Sequence, residues 1–303
     1  MTANPLKGRL DGRVAVVTGA GRGIGAGIAT MLAAEGAAVV VNDIGAELDG
    51  SGGGDTTPAA QVVDAITTAG GTAVVDGSDI SDVQAAEGMV RGAIEKFGSL
   101  DVLINVAGIL RDRMIFNLAE PEWDDVIRVH LKGHYATIKP AAAYWREQRN
   151  PDGHYRIINF TSVSGLYGAP GQPNYAAAKM GIVGLTYSCA NALGRYGVTA
   201  NAISPGAATR MTGSIPTERR RSALGTENDE TAADNIAPIV AYIAGPASDW
   251  LTGQVIGAKG YEVQLLNKPG PLRQLNSDAP WQPEKLAELV ERVFKPAVSG
   301  EAR

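Results

Sequence analysis

The stretch Arg13-Val-Ala-Val-Val-Thr18, followed by Gly19-Ala-Gly-Arg-Gly23-Ile-Gly25, restricts the fold more than any other part of the chain. A short apolar run without polar alternation is what a strand buried on both faces of a parallel sheet requires. The glycine cluster then runs into a helical stretch, Ile28 to Glu35, stopped by Gly36. Parallel strands cannot be joined by a tight hairpin, so this strand–turn–helix unit predicts a βαβ chain. Backbone N–H groups at the start of such a helix, aided by its dipole, can hold a pyrophosphate, and glycines allow close approach. The spacing is Gly-x3-Gly-x-Gly, not the literal Gly-x-Gly-x-x-Gly fingerprint, and a purely structural turn is the plain alternative.

The same alternation continues along the chain. Strands are predicted over 37–41, 72–76, 100–105, 156–160, 197–203 and near 254–256. Helices are predicted over 58–69, 82–97 and 122–149, from the run holding Lys179 to about Tyr196, and over 230–244. The fold class is therefore α/β: a Rossmann-like doubly wound parallel sheet with right-handed crossovers. Residues 1–260 are expected to form a single dinucleotide-binding and catalytic domain. Its polar segment of about 207–228 would serve as a substrate lid. Residues 261–303 form a C-terminal extension packing on the domain or on a neighbouring subunit, with an amphipathic helix opened by Pro283-Glu284. The glycine-rich loop 49–57 is flexible by composition.

Ligands of such sheets bind at the carboxyl ends of the strands, and the candidate residues gather there. Asp43 ends the second strand, where a carboxylate can accept from an adenosine ribose and would repel the extra phosphate of NADP; Arg22 in the glycine loop is the opposing signal. Asp79 and Ile80 can flank the adenine, with Asp79 as a plain helix cap the alternative. Tyr175 and Lys179 are four apart in an Ala-rich helical run and so share a face. A nearby ammonium favours the phenolate, so Lys179 is expected to lower the Tyr175 pKa and make it an acid/base for a hydroxyl or a carbonyl. Ser162, just past the strand 156–160, would hydrogen-bond the reacting oxygen. His130 and His134 have the spacing of a metal pair, but only His154 remains and no HExxH pattern is present, so no metal is expected. Arg219-Arg-Arg221 is either a solvated charge run or a contact for an anionic substrate group.

Composition excludes other classes. Lys+Arg 27 against Asp+Glu 32 leaves a net charge of −5, so no global field attracts nucleic acid or an anionic membrane. The single cysteine, Cys189, precludes an internal disulfide and favours a reducing compartment. With neither an apolar signal core at the start nor a run of ~20 apolar residues, a soluble cytoplasmic protein is expected.

Thr18-Gly-Ala-Gly-Arg-Gly-Ile-Gly25, Asn105-Val-Ala-Gly108, Ser162, Tyr175-x-x-x-Lys179 and Pro205-Gly206 resemble the short-chain dehydrogenase/reductase family over residues 10–260. Val41-Asn-Asp-Ile-Gly45, Ala107-Gly-Ile-Leu-Arg-Asp-Arg113 and Arg128-Val-His-Leu-Lys-Gly133 narrow the resemblance. They are similar to the (3R)-hydroxyacyl-CoA dehydrogenase unit of peroxisomal multifunctional enzyme type 2 and its bacterial relatives. The resemblance implies Tyr175 as acid/base, Ser162 holding the substrate oxygen, Lys179 on the nicotinamide ribose, and His130 where the family has a relay asparagine. It implies NAD held by Gly19, Arg22, Gly23, Ile24, Gly25, Asp43, Asp79, Ile80, Asn105, Ala107, Gly108, Tyr175, Lys179, Pro205, Gly206 and Thr209. The implied reaction interconverts a (3R)-3-hydroxyacyl-CoA and its 3-oxoacyl-CoA, in fatty-acid or steroid side-chain degradation. A hydroxysteroid dehydrogenase, an NADPH-dependent 3-oxoacyl reductase and a nucleotide-sensing scaffold are the alternatives. The partners implied are a small-molecule substrate, acyl-CoA or steroid, and further copies of the chain in a homodimer or homotetramer.

Overall fold

The structure is a computed structural model and describes residues 8–207, 230 and 232–299. The chain divides into two compact units, Met1–Leu266 and Asn267–Arg303.

In the first unit β1 (Val14–Thr18), β2 (Ala38–Asn42), β3 (Thr72–Asp76), β4 (Val102–Asn105), β5 (Tyr155–Phe160), β6 (Val198–Gly206), β7 (Val255–Lys259) and β8 (Glu262–Leu265) form one sheet. Its order is β3-β2-β1-β4-β5-β6-β7-β8, and every pairing is parallel except the last. The antiparallel edge strand β8 was not expected from the sequence: Tyr261, Val263 and Leu265 are all exposed, so no buried run marks it. The chain builds outward from β1 to β3, then returns to place β4 on the other side of β1. That reversal opens a crevice at the carboxyl ends of β1 and β4, the switch point where such sheets take ligands.

The period-2 alternation of the strands feeds two cores. Val17, Val39, Val41, Ile104, Ile158 and Ile203 face helix α1 (Gly23–Ala34), through Ile28 and Leu32, α2 (Thr57–Thr68), through Ile66, and a helix over Ala237–Ala244, through Val240 and Ile243. Val16, Val40, Leu103 and Ile157 face the opposite layer. There α3 (Val83–Phe97) contributes Met89 and Val90, and α5 (Gly133–Gln148) contributes Ile138 and Trp145. Trp145 is fully buried and donates its indole N–H to Leu100 O at 2.7 Å. Asp82 caps α3 by accepting from Gln84 N and Ala85 N, so the cap is Asp82 and not Asp79.

The predicted helix 122–149 is three pieces: α4 (Glu120–Val126), a π-turn over Ile127–Lys132, and α5. A π-turn inside a helix is rare and tends to mark functional sites; this one carries His130. A short helix, α6 (Val163–Tyr167), separates Ser162 from α7 (Pro173–Leu193). The second unit contains a helix over Pro283–Ser299, amphipathic by its apolar spacing at Leu286, Leu289, Val290, Val293 and Phe294. No described helix is long and apolar enough to cross a membrane.

Candidate active site

A cavity of about 610 Å³ lies along the carboxyl ends of β1, β2, β4 and β5. Gly19, Arg22, Gly23, Ile24, Gly25, Asp43, Asp79 and Ile80 line one part of its wall. Ala107, Gly108, Tyr175, Lys179 and Pro205 also face it. Most of the residues expected to hold a dinucleotide thus meet in one space.

The helix α1 starts on this wall with Arg22 as N-cap, and no side chain caps it. The first N–H groups of a helix have no partner within the helix, so an uncapped start facing a cavity suits an anion. Asp43 crosses the neighbouring strand end: Oδ2 accepts from Gly21 N at 2.9 Å and Oδ1 from Gly45 N at 2.7 Å. Gly21 must be glycine for this, because a Cβ there would lie 2.8 Å from Asp43 Oδ2. Each carboxylate oxygen keeps lone-pair capacity for a ligand. Asp79 Oδ1 accepts from Ser81 N at 2.8 Å, while Oδ2 lies 3.9 Å from Arg128 Nη1.

Tyr175 stands on the first turn of α7, half-buried, with the buried Lys179 one turn later. Lys179 Nζ lies 5.5 Å from the centroid of the Tyr175 ring and donates to Phe160 O at 2.8 Å. The two share a face, as their spacing requires. Their electrostatics reverse the expectation that Lys179 would lower the Tyr175 pKa. Loss of water pushes Tyr175 up to about 12, with Asp112 adding to the rise and a hydrogen bond with Ser162 opposing it. Loss of water also pushes Lys179 down to about 7. Burial is the first cause for both groups, and the charge of Lys179 is not among the causes that act on Tyr175.

Three further candidates depart from expectation. Asn105 does not line the cavity: its side chain is fully buried, donating to Asn159 Oδ1 at 3.1 Å and accepting from Thr137 Oγ1 at 2.8 Å. It ties β4 to β5 and α5 instead. Gly206 also stands off the wall, against the Lys259 side chain. Ser162 is the N-cap of α6, its Oγ accepting from Ser164 N at 3.2 Å, and it meets the cavity only through Tyr175. Thr209, Arg219-Arg-Arg221 and the lid segment beyond Ala207 lie outside the described residues.

His130 is fully buried and packs edge-on against Tyr175, ring centroids 5.1 Å apart. Its Nε2 meets the backbone of Ile109, while Nδ1 has no partner among the described residues. Gly108 leaves room for the ring, since a Cβ there would collide with His130 Cε1. Burial, with the charge of Lys179, holds His130 well below the usual imidazole range. His134 is fully buried too, and the same two causes push it down to about 3. Its Nδ1 meets His130 O at 2.6 Å, so the i,i+4 pair is spent on holding the π-turn. Among the described residues no group of three or more His, Cys, Asp or Glu could hold a metal ion.

Sequence reasoning missed part of the wall. The glycine-rich stretch after Asp43 folds against the cavity through Glu47, Leu48, Gly50 and Gly52, and Leu110 N donates to Leu48 O at 3.0 Å. Arg111 bridges Asp49 at 3.7 Å and Asp125 at 3.5 Å. Arg128 donates to Asp125 Oδ1 at 3.0 Å. The only local signal was the i,i+3 spacing of Asp125 and Arg128.

The profile of the short chain dehydrogenase family matches residues 13–220. The hydroxyacyl-CoA dehydrogenase ChsB1 of Mycobacterium tuberculosis is 41% identical over 290 residues, 94% of this chain and 89% of the relative. The peroxisomal multifunctional enzyme type 2 of Drosophila melanogaster is 40% identical over 88% of this chain, which spans 42% of that longer protein. The 3-oxoacyl-[acyl-carrier-protein] reductase FabG of Staphylococcus aureus is 38% identical over 81% of this chain and 96% of its own. A crystal structure of a short chain dehydrogenase from Mycobacterium avium superposes with a TM-score of 0.82 at 46% identity, covering 95% of this chain and 96% of the other. The cavity, its uncapped helix start and the Tyr175–Lys179 pair therefore belong to an oxidoreductase with a nicotinamide cofactor, and the chain is a member of the short-chain dehydrogenase/reductase family.

Proposed function

We propose that the protein is an NAD-dependent dehydrogenase that interconverts a (3R)-3-hydroxyacyl-CoA and its 3-oxoacyl-CoA. One observation carries the cofactor choice: the Asp43 carboxylate, held by Gly21 N and Gly45 N, faces the cavity one strand away from the uncapped α1 start. A carboxylate there accepts from ribose hydroxyls and repels a 2′-phosphate. The acyl-CoA choice rests on the similarity to ChsB1 and to the multifunctional enzyme.

In this reading α1 and the glycine turn hold the pyrophosphate, Asp79 and Ile80 flank the adenine, and Lys179 meets the nicotinamide ribose. The bound nicotinamide supplies a hydride acceptor for the carbon bearing the substrate hydroxyl. Ser162 and Tyr175 orient that hydroxyl, and Tyr175 Oη takes its proton as the C–H bond breaks and the C=O bond forms. His130 sets the ring of Tyr175 from behind. Because burial raises the proton affinity of Tyr175, oxidation of the alcohol gains rate as pH rises and reduction of the ketone gains as it falls. The reading includes a cytoplasmic enzyme acting as a homodimer or homotetramer, with residues 207–228 as the substrate lid.

The test is the appearance of NADH absorbance with a panel of 3-hydroxyacyl-CoAs, hydroxysteroids and simple secondary alcohols, run in parallel with NADP. The expected result is turnover of the (3R)-thioesters with NAD at a kcat/KM at least ~10-fold above that with NADP, the scale of one unfavourable charge contact. A preference for NADP would point to a 3-oxoacyl reductase, a preference for neutral steroids to a hydroxysteroid dehydrogenase, and no turnover at all to a nucleotide-sensing scaffold. Each of these would overturn the proposal.

A further inference from the structure

Two stretches of sequence, one holding Asp112 and one running from Ser162 to Gln172, meet beside Tyr175 and are joined by a series of hydrogen bonds. Gln172 Nε2 donates to Asp112 Oδ2 at 2.8 Å, across 60 residues of sequence. Ser164 Oγ donates to Gln172 Oε1 at 2.7 Å, and Ser164 N donates to Ser162 Oγ at 3.2 Å. The direction of the Gln172 amide is fixed by its partners. An ionised carboxylate only accepts, so the NH₂ must face Asp112 and the oxygen must take the serine hydroxyl. Asn174, fully buried, adds a second latch. Its Nδ2 donates to Arg111 O at 3.1 Å and its Oδ1 accepts from Tyr175 N at 2.8 Å.

We propose that Asp112 and Gln172 are positioning residues of this dehydrogenase: through Ser164 they hold the Ser162 hydroxyl against Tyr175. The proposal rests on the dehydrogenase reading above and concerns two residues that reading does not use. The reason for such a device lies in the local backbone. Ser162 is the N-cap of a five-residue helix, and α7 begins only at Pro173, after the glycine- and proline-containing turn 168–172. A helix that short has little rigidity of its own. Thr161 Oγ1, donating to Lys179 O at 2.7 Å, and Lys179 Nζ on Phe160 O tie the end of β5 to α7, and the bridge adds a side-chain tie from α6 to the start of α7. Misplacement of about 1 Å between the serine and tyrosine hydroxyls is enough to cost a large factor in rate. The arrangement also has an electrostatic side. The groups facing Tyr175 are Ser162 from the α6 side, Lys179 along α7, His130 from the π-turn, and Asp112 from the segment after β4. Asp112 is the one acid among them, and its negative charge favours the protonated phenol. Arg113 and the Gln172 amide face Asp112 in turn.

Three variants separate these effects. Asp112→Asn keeps an oxygen acceptor for Gln172 and removes the charge, whereas Asp112→Ala and Gln172→Ala both cut the bridge. Gln172→Ala is expected to lower kcat about tenfold, the cost of a modest misplacement, with KM for NAD and the thermal midpoint at parent values. Asp112→Ala should match it. Asp112→Asn should keep the parent kcat at its plateau while the acid limb of alcohol oxidation moves to lower pH, because the phenol ionises more readily once the charge is gone. Parent kcat in both alanine variants would overturn the proposal. So would a loss that falls equally on NADH affinity and thermal midpoint. A readout independent of turnover keeps it testable if the parent protein oxidises no alcohol and the dehydrogenase reading itself fails. The tyrosinate absorbance of Tyr175 is isolated by subtracting the titration of Tyr175→Phe, in the parent and in the Asp112→Asn background. A downward shift in Asp112→Asn supports the placement of Asp112, and coincident titrations contradict it.

Discussion

The two ends of β5 treat buried charge in opposite ways. At the amino end Arg156 is fully buried and donates to Ile243 O at 3.0 Å, Gly245 O at 2.8 Å and Tyr155 O at 3.1 Å. It also pairs with Asp249 at 2.5 Å. At the carboxyl end Lys179 is also buried, yet among the described residues its hydrogen bond to Phe160 O is matched by no carboxylate, and His130 beside it has no partner there for Nδ1. A buried charge without compensation is costly, so the fold tolerates it only where another group is due to arrive. The contrast is not absolute, since Arg13 Nε at the amino end is also unpartnered. What it teaches is where the molecule spends polar groups on holding itself together and where it keeps them for chemistry.

The largest effect expected from this contrast is at Tyr175. Tyr175→Phe should lower kcat by ~10²–10⁴, the range of acid/base help, while NADH affinity measured by fluorescence stays at the parent value. If the variant turned over at the parent rate, the carboxyl end would be no more chemical than the amino end. Next in size is Arg156→Leu, which removes the guanidinium donors from three backbone carbonyls and leaves Asp249 with His154 as its remaining partner. Asp249 is half-exposed, so water softens the loss, and urea unfolding should register about 2 kcal/mol with kcat of the folded protein unchanged. A fall in kcat without a fall in stability would reverse the roles of the two ends. The smallest effect is a pH dependence. Lys179 titrates near 10.5 in the unfolded chain and at about 7 in the fold, so the unfolded chain binds more protons between those values. Stability therefore rises with pH across that window, and the full cost of the buried ammonium is present below it. Lys179→Met should gain about 1 kcal/mol or more over the parent at pH 6 and lose most of that gain by pH 10. A gain that did not change with pH would mean that Lys179 stays charged throughout.

Local spacing made the carboxyl end readable from sequence. The glycine turn, Asp43 at a strand end and the i,i+4 pair of Tyr175 and Lys179 each lie within one element, so propensity and periodicity locate them. Two kinds of feature escaped. The first depends on contacts between distant segments. Asp112 and Gln172, the fold of the glycine-rich loop over the cavity, the side chain of Asn105 turning into the core and the antiparallel β8 carry no periodic signal. The second depends on burial. Spacing predicts that an ammonium will acidify a phenol, but the sign is decided by how much water each loses, and that is a property of the packed layers around α7. The π-turn under His130 belongs to both kinds, being held by the imidazole of His134 and by the contact of His130 with Ile109.

The central claim is that the unsatisfied carboxyl end awaits a nicotinamide and an alcohol. The most direct measurement is a crystal structure with NAD bound. The account predicts the pyrophosphate on the start of α1, the adenosine ribose on Asp43 and the nicotinamide ring beside Tyr175, leaving room for a substrate oxygen within ~3 Å of its hydroxyl. A dinucleotide seated elsewhere, or a Tyr175 hydroxyl turned away from the ring, would contradict it.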